Sequence, residues 1–177
     1  MIVTAGAATL ALGGCGSQVR AVEKSMEPTI RSGEYVSLDE DAYRSADPAV
    51  GDIVSFRAPA GADEACGDGG EPPPSDRPCP RATDRLGDES FIKRVVAGPG
   101  DRVAIRDGGH AVVDGVELAE PYAQLCAPAD GCDYPRSIRV PRGHWFVLGD
   151  NRPYALDSRH FGPIPRRALE GRVTPPG

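Results

Sequence analysis

Positive charge is in short supply in this chain. Its 177 residues carry 20 Lys and Arg against 26 Asp and Glu, a formal net charge of −6. Phosphate binding draws on a basic surface, so nucleic acid is not an expected partner. Blocks of like charge are missing as well, which leaves no obvious interaction tail. There is no internal repeat and no amphipathic helical pattern of useful length, so repeat arrays and helical bundles drop out. Nor does any uncharged apolar run reach the roughly 20 residues that a bilayer-spanning helix needs. Histidine numbers only 3, which limits any imidazole base to His110, His144 or His160, none singled out by its neighbours.

What is present points to a β protein. Hydrophobic residues make up 40% and charged residues 26%, enough for one domain with a real core. The 22 Gly and 18 Pro favour many turns and short strands over long helices. Period-2 alternation predicts strands over 35–38, 51–56 and 91–96, and short apolar runs between turn signals predict others over 102–105, 111–113 and, fully buried, 144–148. Asp107-Gly108-Gly109 and Asp114-Gly115 are hairpin-turn signals around one of these. Residues 59–90 carry little apolar periodicity and read as a surface loop, and the closing stretch reads as Pro-rich.

Cys66 and Cys79 flank that loop, and Cys126 and Cys132 flank another, leaving Cys15 over. Two local pairs read as disulfides in an oxidising compartment; the alternative is a zinc site, though neither spacing is the tight one zinc prefers. No cofactor or metal is expected. Residues 1–14 are uncharged and mostly apolar. They read as the tail of a membrane anchor, as a buried strand, or as the lead-in to Leu12-Gly13-Gly14-Cys15-Gly16-Ser17, which resembles a bacterial lipobox with Cys15 lipidated. The first and last readings bring membrane lipid in as a partner. The expected division is residues 1–17 as anchor remnant or lipobox and 18–177 as an extracytoplasmic domain.

Two residues stand out as chemistry. Ser25 opens Ser25-Met26-Glu27-Pro28 and is either a capped turn or a nucleophile held in one. A nucleophilic hydroxyl needs a base. Lys93 lies in Phe91-Ile92-Lys93-Arg94-Val95-Val96, where alternation places it with Phe91 and Val95; either Lys93 or Arg94 faces inward. Burial would disfavour the ammonium form and make Lys93 a base near neutral pH.

Four blocks in order then resemble the type I signal peptidases, the serine–lysine membrane endopeptidases of the LexA-like protease superfamily. They are Ser25–Ile30, Gly51–Phe56, Lys93–Asp101, and Gly149-Asp150-Asn151 with Asp157–Gly162. The resemblance implies a mainly β fold of coiled antiparallel sheets. It implies that Ser25 attacks and Lys93 takes its proton, with Met26, Pro28, Arg94, Asp150, Asn151, Asp157, Ser158 and Arg159 in support. It also implies a monomer at a bacterial membrane, its catalytic domain on the extracytoplasmic face, acting on signal-peptide-bearing pre-proteins with small residues at −1 and −3. Two positions depart from the family pattern. Glu23 replaces a serine that often assists the oxyanion, and is expected to point away from it; Ala155 replaces a serine that helps orient the lysine.

Overall fold

The computed structural model describes residues 17–62, 66, 72, 74–81 and 84–176. The segment expected to be an anchor remnant or lipobox, Cys15 included, lies outside the described residues. No helix among the described residues is long and apolar enough to cross a membrane.

The described residues form two antiparallel sheets. The larger has seven strands in the order β1-β2-β11-β3-β4-β9-β10, the smaller four in the order β7-β6-β5-β8. In chain order these are β1 (Ser17–Arg20), β2 (Tyr35–Asp39), β3 (Ile53–Pro59), β4 (Leu86–Ala97), β5 (Arg102–Arg106), β6 (His110–Val113), β7 (Val116–Glu117), β8 (Tyr134–Arg139), β9 (His144–Leu148), β10 (Ile164–Pro165) and β11 (Leu169–Thr174). A single turn of helix, α1 (Ser158–Phe161), follows β9.

Burial follows the side-chain period of the strands. Val36 and Leu38 of β2 turn inward while Tyr35, Ser37 and Asp39 face out. With Ala21, Met26, Ile30, Ile53 and Val173 they form one apolar cluster. The neighbouring positions on β3 and β4 feed a second, in which Phe56, Phe91 and Phe161 meet at centroid distances of 6.2–6.3 Å. A third cluster joins the ends of β4 and β9 to the small sheet through Val96, Phe146, Val103 and Ile138. β3 and β9 are thus covered on both faces, which explains their near-continuous apolar runs. Asp114 and Gly115 both take positive φ, 50° and 84°, as a two-residue hairpin between β6 and β7 requires.

Several expectations need correction. Leu86–Ser90, read as loop, is the first half of β4 and pairs with β3 from Pro59↔Leu86 to Arg57↔Ser90. The closing segment, read as Pro-rich, contains β11, which lies between β2 and β3 inside the large sheet. β8 was not expected either, and β6 begins at His110, one residue before the strand expected over 111–113. Their inward positions are too few to show a period: β8 buries only Tyr134 and Ile138.

Candidate active site

The site is built where β4 passes the turn that follows β1. β9 pairs with β4 only from Arg94 to Ala97. The stretch before it is paired with β3 on one edge, so its other edge has no strand partner among the described residues. Beside that edge lies a cleft of about 330 Å³ with apolar walls from Ala21, Met26, Ile30, Phe91 and Ile92. Ser25 lines the cleft while its own surface is 3% exposed.

The alternation along β4 settles which basic side chain is inward. Lys93 is 1% exposed, and its Nζ donates to Ser25 Oγ at 3.0 Å and to the Ile92 carbonyl at 3.1 Å. Burial pushes the Lys93 ammonium down to about 8, against Glu23 and Asp157, which favour its charge. A neutral amine suits these contacts. It has an N–H for the Ile92 carbonyl and a lone pair free to accept the Ser25 hydroxyl proton.

Arg94, one residue on, turns to the other face. Its Nε and Nη2 donate to Asp150 Oδ1 and Oδ2 at 2.9 and 2.7 Å, its Nη1 to the Gly51 carbonyl at 3.0 Å. The guanidinium lies over the Tyr122 ring, 3.9 Å from its centroid. Thr29 Oγ1 donates to the same Asp150 at 2.5 Å. Asp150 therefore ties the turn carrying Ser25 to the strand carrying Lys93. Thr29 lies in the first block, yet nothing in its local pattern marks it as a partner of a residue 121 positions away.

Asp157 caps α1 and accepts from the Gly149 and Arg159 N–H groups at 3.0 and 3.1 Å, and from Arg159 Nε and Nη2 at 2.8 and 2.9 Å. Burial pushes the Asp157 carboxyl up, but the Arg159 guanidinium outweighs it and holds the group below its ordinary value. Ser158 Oγ accepts from the Val147 N–H at 3.0 Å, fixing α1 to β9. His160, packed at the edge of this group, is pushed down by burial and up by Asp157, with a net lowering. Met26 is buried in the cleft wall and Pro28 lies in the turn after Ser25.

A buried pair was missed by sequence reasoning. Arg152 donates to Glu120 Oε1 at 2.6 Å, to the Gly149 carbonyl at 2.9 Å and to the Gly109 carbonyl. Both side chains are fully buried, and nothing in the local sequence of either marks it as the other's partner.

The departures have structural consequences. Glu23, expected to point away from the oxyanion, is exposed but lines the same cleft as Ser25, and its field reaches Lys93. Ala155 is buried and offers no hydroxyl, so the Ile92 carbonyl is what orients Lys93 from behind. Gly149 has to be glycine: a Cβ there would stand 2.5 Å from the Ser25 carbonyl oxygen and collide with Ala155.

Cys66 pairs with Cys79 at a Cα–Cα distance of 5.5 Å, and Cys126 with Cys132 at 6.2 Å. Among the described residues no group of three or more His, Cys, Asp and Glu could hold a metal ion.

A serine hydroxyl bonded to a buried lysine beside a free strand edge, on a mainly antiparallel β scaffold, has the geometry of the serine–lysine class of hydrolase sites. Comparison with known proteins supplies the family. The model described as signal peptidase, peptidase S26, matches residues 1–176, and the chain belongs to that family. It is 34% identical over 155 residues to thylakoidal processing peptidase 1, chloroplastic, of Arabidopsis thaliana, covering 84% of this chain and 38% of that protein. It is 32% identical over 149 residues to the probable signal peptidase I-2 of Synechocystis, covering 84% and 57%. With signal peptidase I V of Bacillus subtilis the identity is 28% over 160 residues, covering 85% and 79%. The chain thus spans between about two fifths and four fifths of the length of these relatives. Among solved structures it resembles a signal peptidase I of Enterococcus faecalis, with a TM-score of 0.50, 25% identity, and coverage of 73% of this chain and 98% of that one.

Proposed function

We propose that the chain is a signal peptidase I-type serine endopeptidase that works through Ser25 and Lys93. The observation carrying this reading is the 3.0 Å contact between Ser25 Oγ and a lysine that is 1% exposed. A buried lysine with lowered pKa next to a hydroxyl is the arrangement a Ser–Lys pair needs. Neutral Lys93 takes the hydroxyl proton as Oγ attacks the scissile carbonyl, and the resulting ammonium passes that proton to the leaving amine. An acyl-enzyme on Ser25 remains. Lys93, neutral again, deprotonates a water that releases the acid product. The developing oxyanion is met by the Ser25 backbone N–H.

The substrates are pre-proteins bearing signal peptides. The free edge of β4 suits an extended peptide added as a strand, with the apolar cleft receiving the small −1 and −3 side chains. The disulfides suit the extracytoplasmic face of a bacterial membrane. Attachment there, by an anchor or by lipid on Cys15, falls on residues outside the described ones. The enzyme acts as a monomer and needs no cofactor.

Cleavage of an Ala-x-Ala pre-protein by the wild type, Ser25→Ala and Lys93→Ala tests the reading. Both variants should lose at least about 10³-fold in rate, as variants lacking a nucleophile or its base do. Undiminished cleavage by either sinks the pair. A folded wild type that binds signal peptides without cutting them would instead favour a catalytically degenerate binding role, the reading that Glu23 in the cleft motivates.

A further inference from the structure

We propose that Asn151 is a positioning residue that aims the oxyanion-binding N–H of Ser25 into the cleft. The inference rests on Ser25 being the nucleophile. Two hydrogen bonds from Asn151 bracket that residue. Its backbone N–H donates to the Ser25 carbonyl at 3.0 Å, and its side-chain Nδ2 donates to the Lys24 carbonyl at 3.0 Å. Lys24 O also accepts from the Glu27 N–H at 3.1 Å.

The consequence follows from the planarity of the peptide group. In a trans peptide the carbonyl oxygen and the next N–H point in opposite directions from the C–N bond. The Lys24 carbonyl is held inward against Asn151, so the Ser25 N–H is held pointing the opposite way. Among the described residues that N–H has no hydrogen-bond acceptor, while Ser25 itself lines the cleft. A donor that is fixed in direction and unspent is what a developing oxyanion requires, since reorganisation during reaction is avoided. Rotation of the peptide would aim a carbonyl, not a donor, at that charge.

The orientation of the Asn151 amide is determined by its surroundings. The residue is 3% exposed, and its Oδ1 is buried with no partner. Flipping the amide would set Oδ1 against the Lys24 carbonyl and leave Nδ2 without an acceptor, two penalties in a dry site. Nδ2 therefore faces Lys24. The role is of particular weight in this chain, because Glu23 supplies no hydroxyl to share the oxyanion. Asn151 touches neither substrate nor Ser25 Oγ in this account; it acts through the backbone.

The test separates kcat from KM and adds a mimic of the tetrahedral state. With an Ala-x-Ala peptide substrate, Asn151→Ala should lower kcat about 10- to 100-fold, within what loss of an oxyanion donor costs, with KM changed less than about 3-fold. Affinity for a peptide aldehyde, which forms a hemiacetal with Ser25, should fall in parallel. Asn151→Asp, of equal size but lacking the donor, should not rescue either quantity. On the wild-type protein, the Ser25 amide proton should move downfield in the NMR spectrum when the aldehyde binds, a measurement that needs no variant. An Asn151→Ala enzyme that keeps its kcat and its aldehyde affinity, or a Ser25 amide that does not move, overturns the proposal and leaves the Ser25–Lys93 reading standing. A folded wild type that neither cleaves nor binds the aldehyde overturns both.

Discussion

At the scale of single residues, Lys93 controls when the site works. Its ammonium form cannot accept a proton, so kcat/KM should rise with pH through about 8, the value to which burial lowers it. Glu23 opposes that lowering by stabilising the ammonium. Glu23→Gln should therefore lower the Lys93 pKa further and move the rising limb toward lower pH, making the variant faster than wild type near neutrality. Because Glu23 is exposed, added salt should shift the wild-type limb in the same direction and leave the variant nearly unmoved. A limb that moves to higher pH in the variant would show that Glu23 serves the site by some other route. The alternation of β4 was legible enough to put Lys93 beside Phe91 and Val95, though it left open whether that face was the inner one. The effect of Glu23 was not legible, because sign and distance relative to a side chain 70 positions away depend on how the β1 turn folds against β4.

At the scale of elements, the strands that the sequence shows either alternate over one buried face, as β2 does, or run apolar because both faces are covered, as β3 and β9 do. β11 is hidden because Leu169-Glu170-Gly171-Arg172-Val173-Thr174 has a single apolar pair and a glycine; Gly171 is there because a Cβ would stand 2.5 Å from the Asp39 carbonyl. Glu170 on that strand accepts from the Ser55 and Ser90 hydroxyls at 2.8 and 2.9 Å, tying β11 to β3 and β4. Cys79, which closes the first disulfide, is tied to the site. Its N–H donates to the Arg159 carbonyl at 2.9 Å, so the residue is seated on α1, which holds Asp157 near Lys93. Replacing Cys66 and Cys79 by Ser should cost about 3 kcal/mol by the chain-entropy relation, and the shorter Cys126–Cys132 loop about 2. Denaturant unfolding would measure both. Only the first pair should also lower kcat at a temperature where both variants remain folded. Equal activities would mean that α1 keeps its place without that disulfide.

At the scale of the whole molecule, the two sheets meet at the back of the site, and Arg152 with Glu120 is the polar part of that junction. Glu120 follows β7 and accepts from the Ala111 N–H of β6 at 2.9 Å, so it belongs to the small sheet. Arg152 follows β9 and holds the Gly149 carbonyl, so it belongs to the site loop of the large one. A charged pair with both side chains fully buried was not legible, because burial of a charge is a tertiary outcome and most arginines stay at the surface. Removing one partner leaves the other charge uncompensated in the interior, which costs about 3–5 kcal/mol. Glu120→Gln keeps the shape and an acceptor for Ala111 but strands the guanidinium, and should fall in that range. Arg152→Met strands the carboxylate and frees Gly149, so it should lose kcat as well as stability. The double variant removes both charges and should be more stable than the sum of the single losses implies. The remaining deficit would come from the Gly109 and Gly149 carbonyls, which no longer have a donor. A double-mutant cycle in denaturant gives the coupling directly. A value of about 2 kcal/mol or more makes the pair a specific link between the sheets, whereas a value near zero assigns their docking to the apolar cluster of Val96, Phe146, Val103 and Ile138 alone.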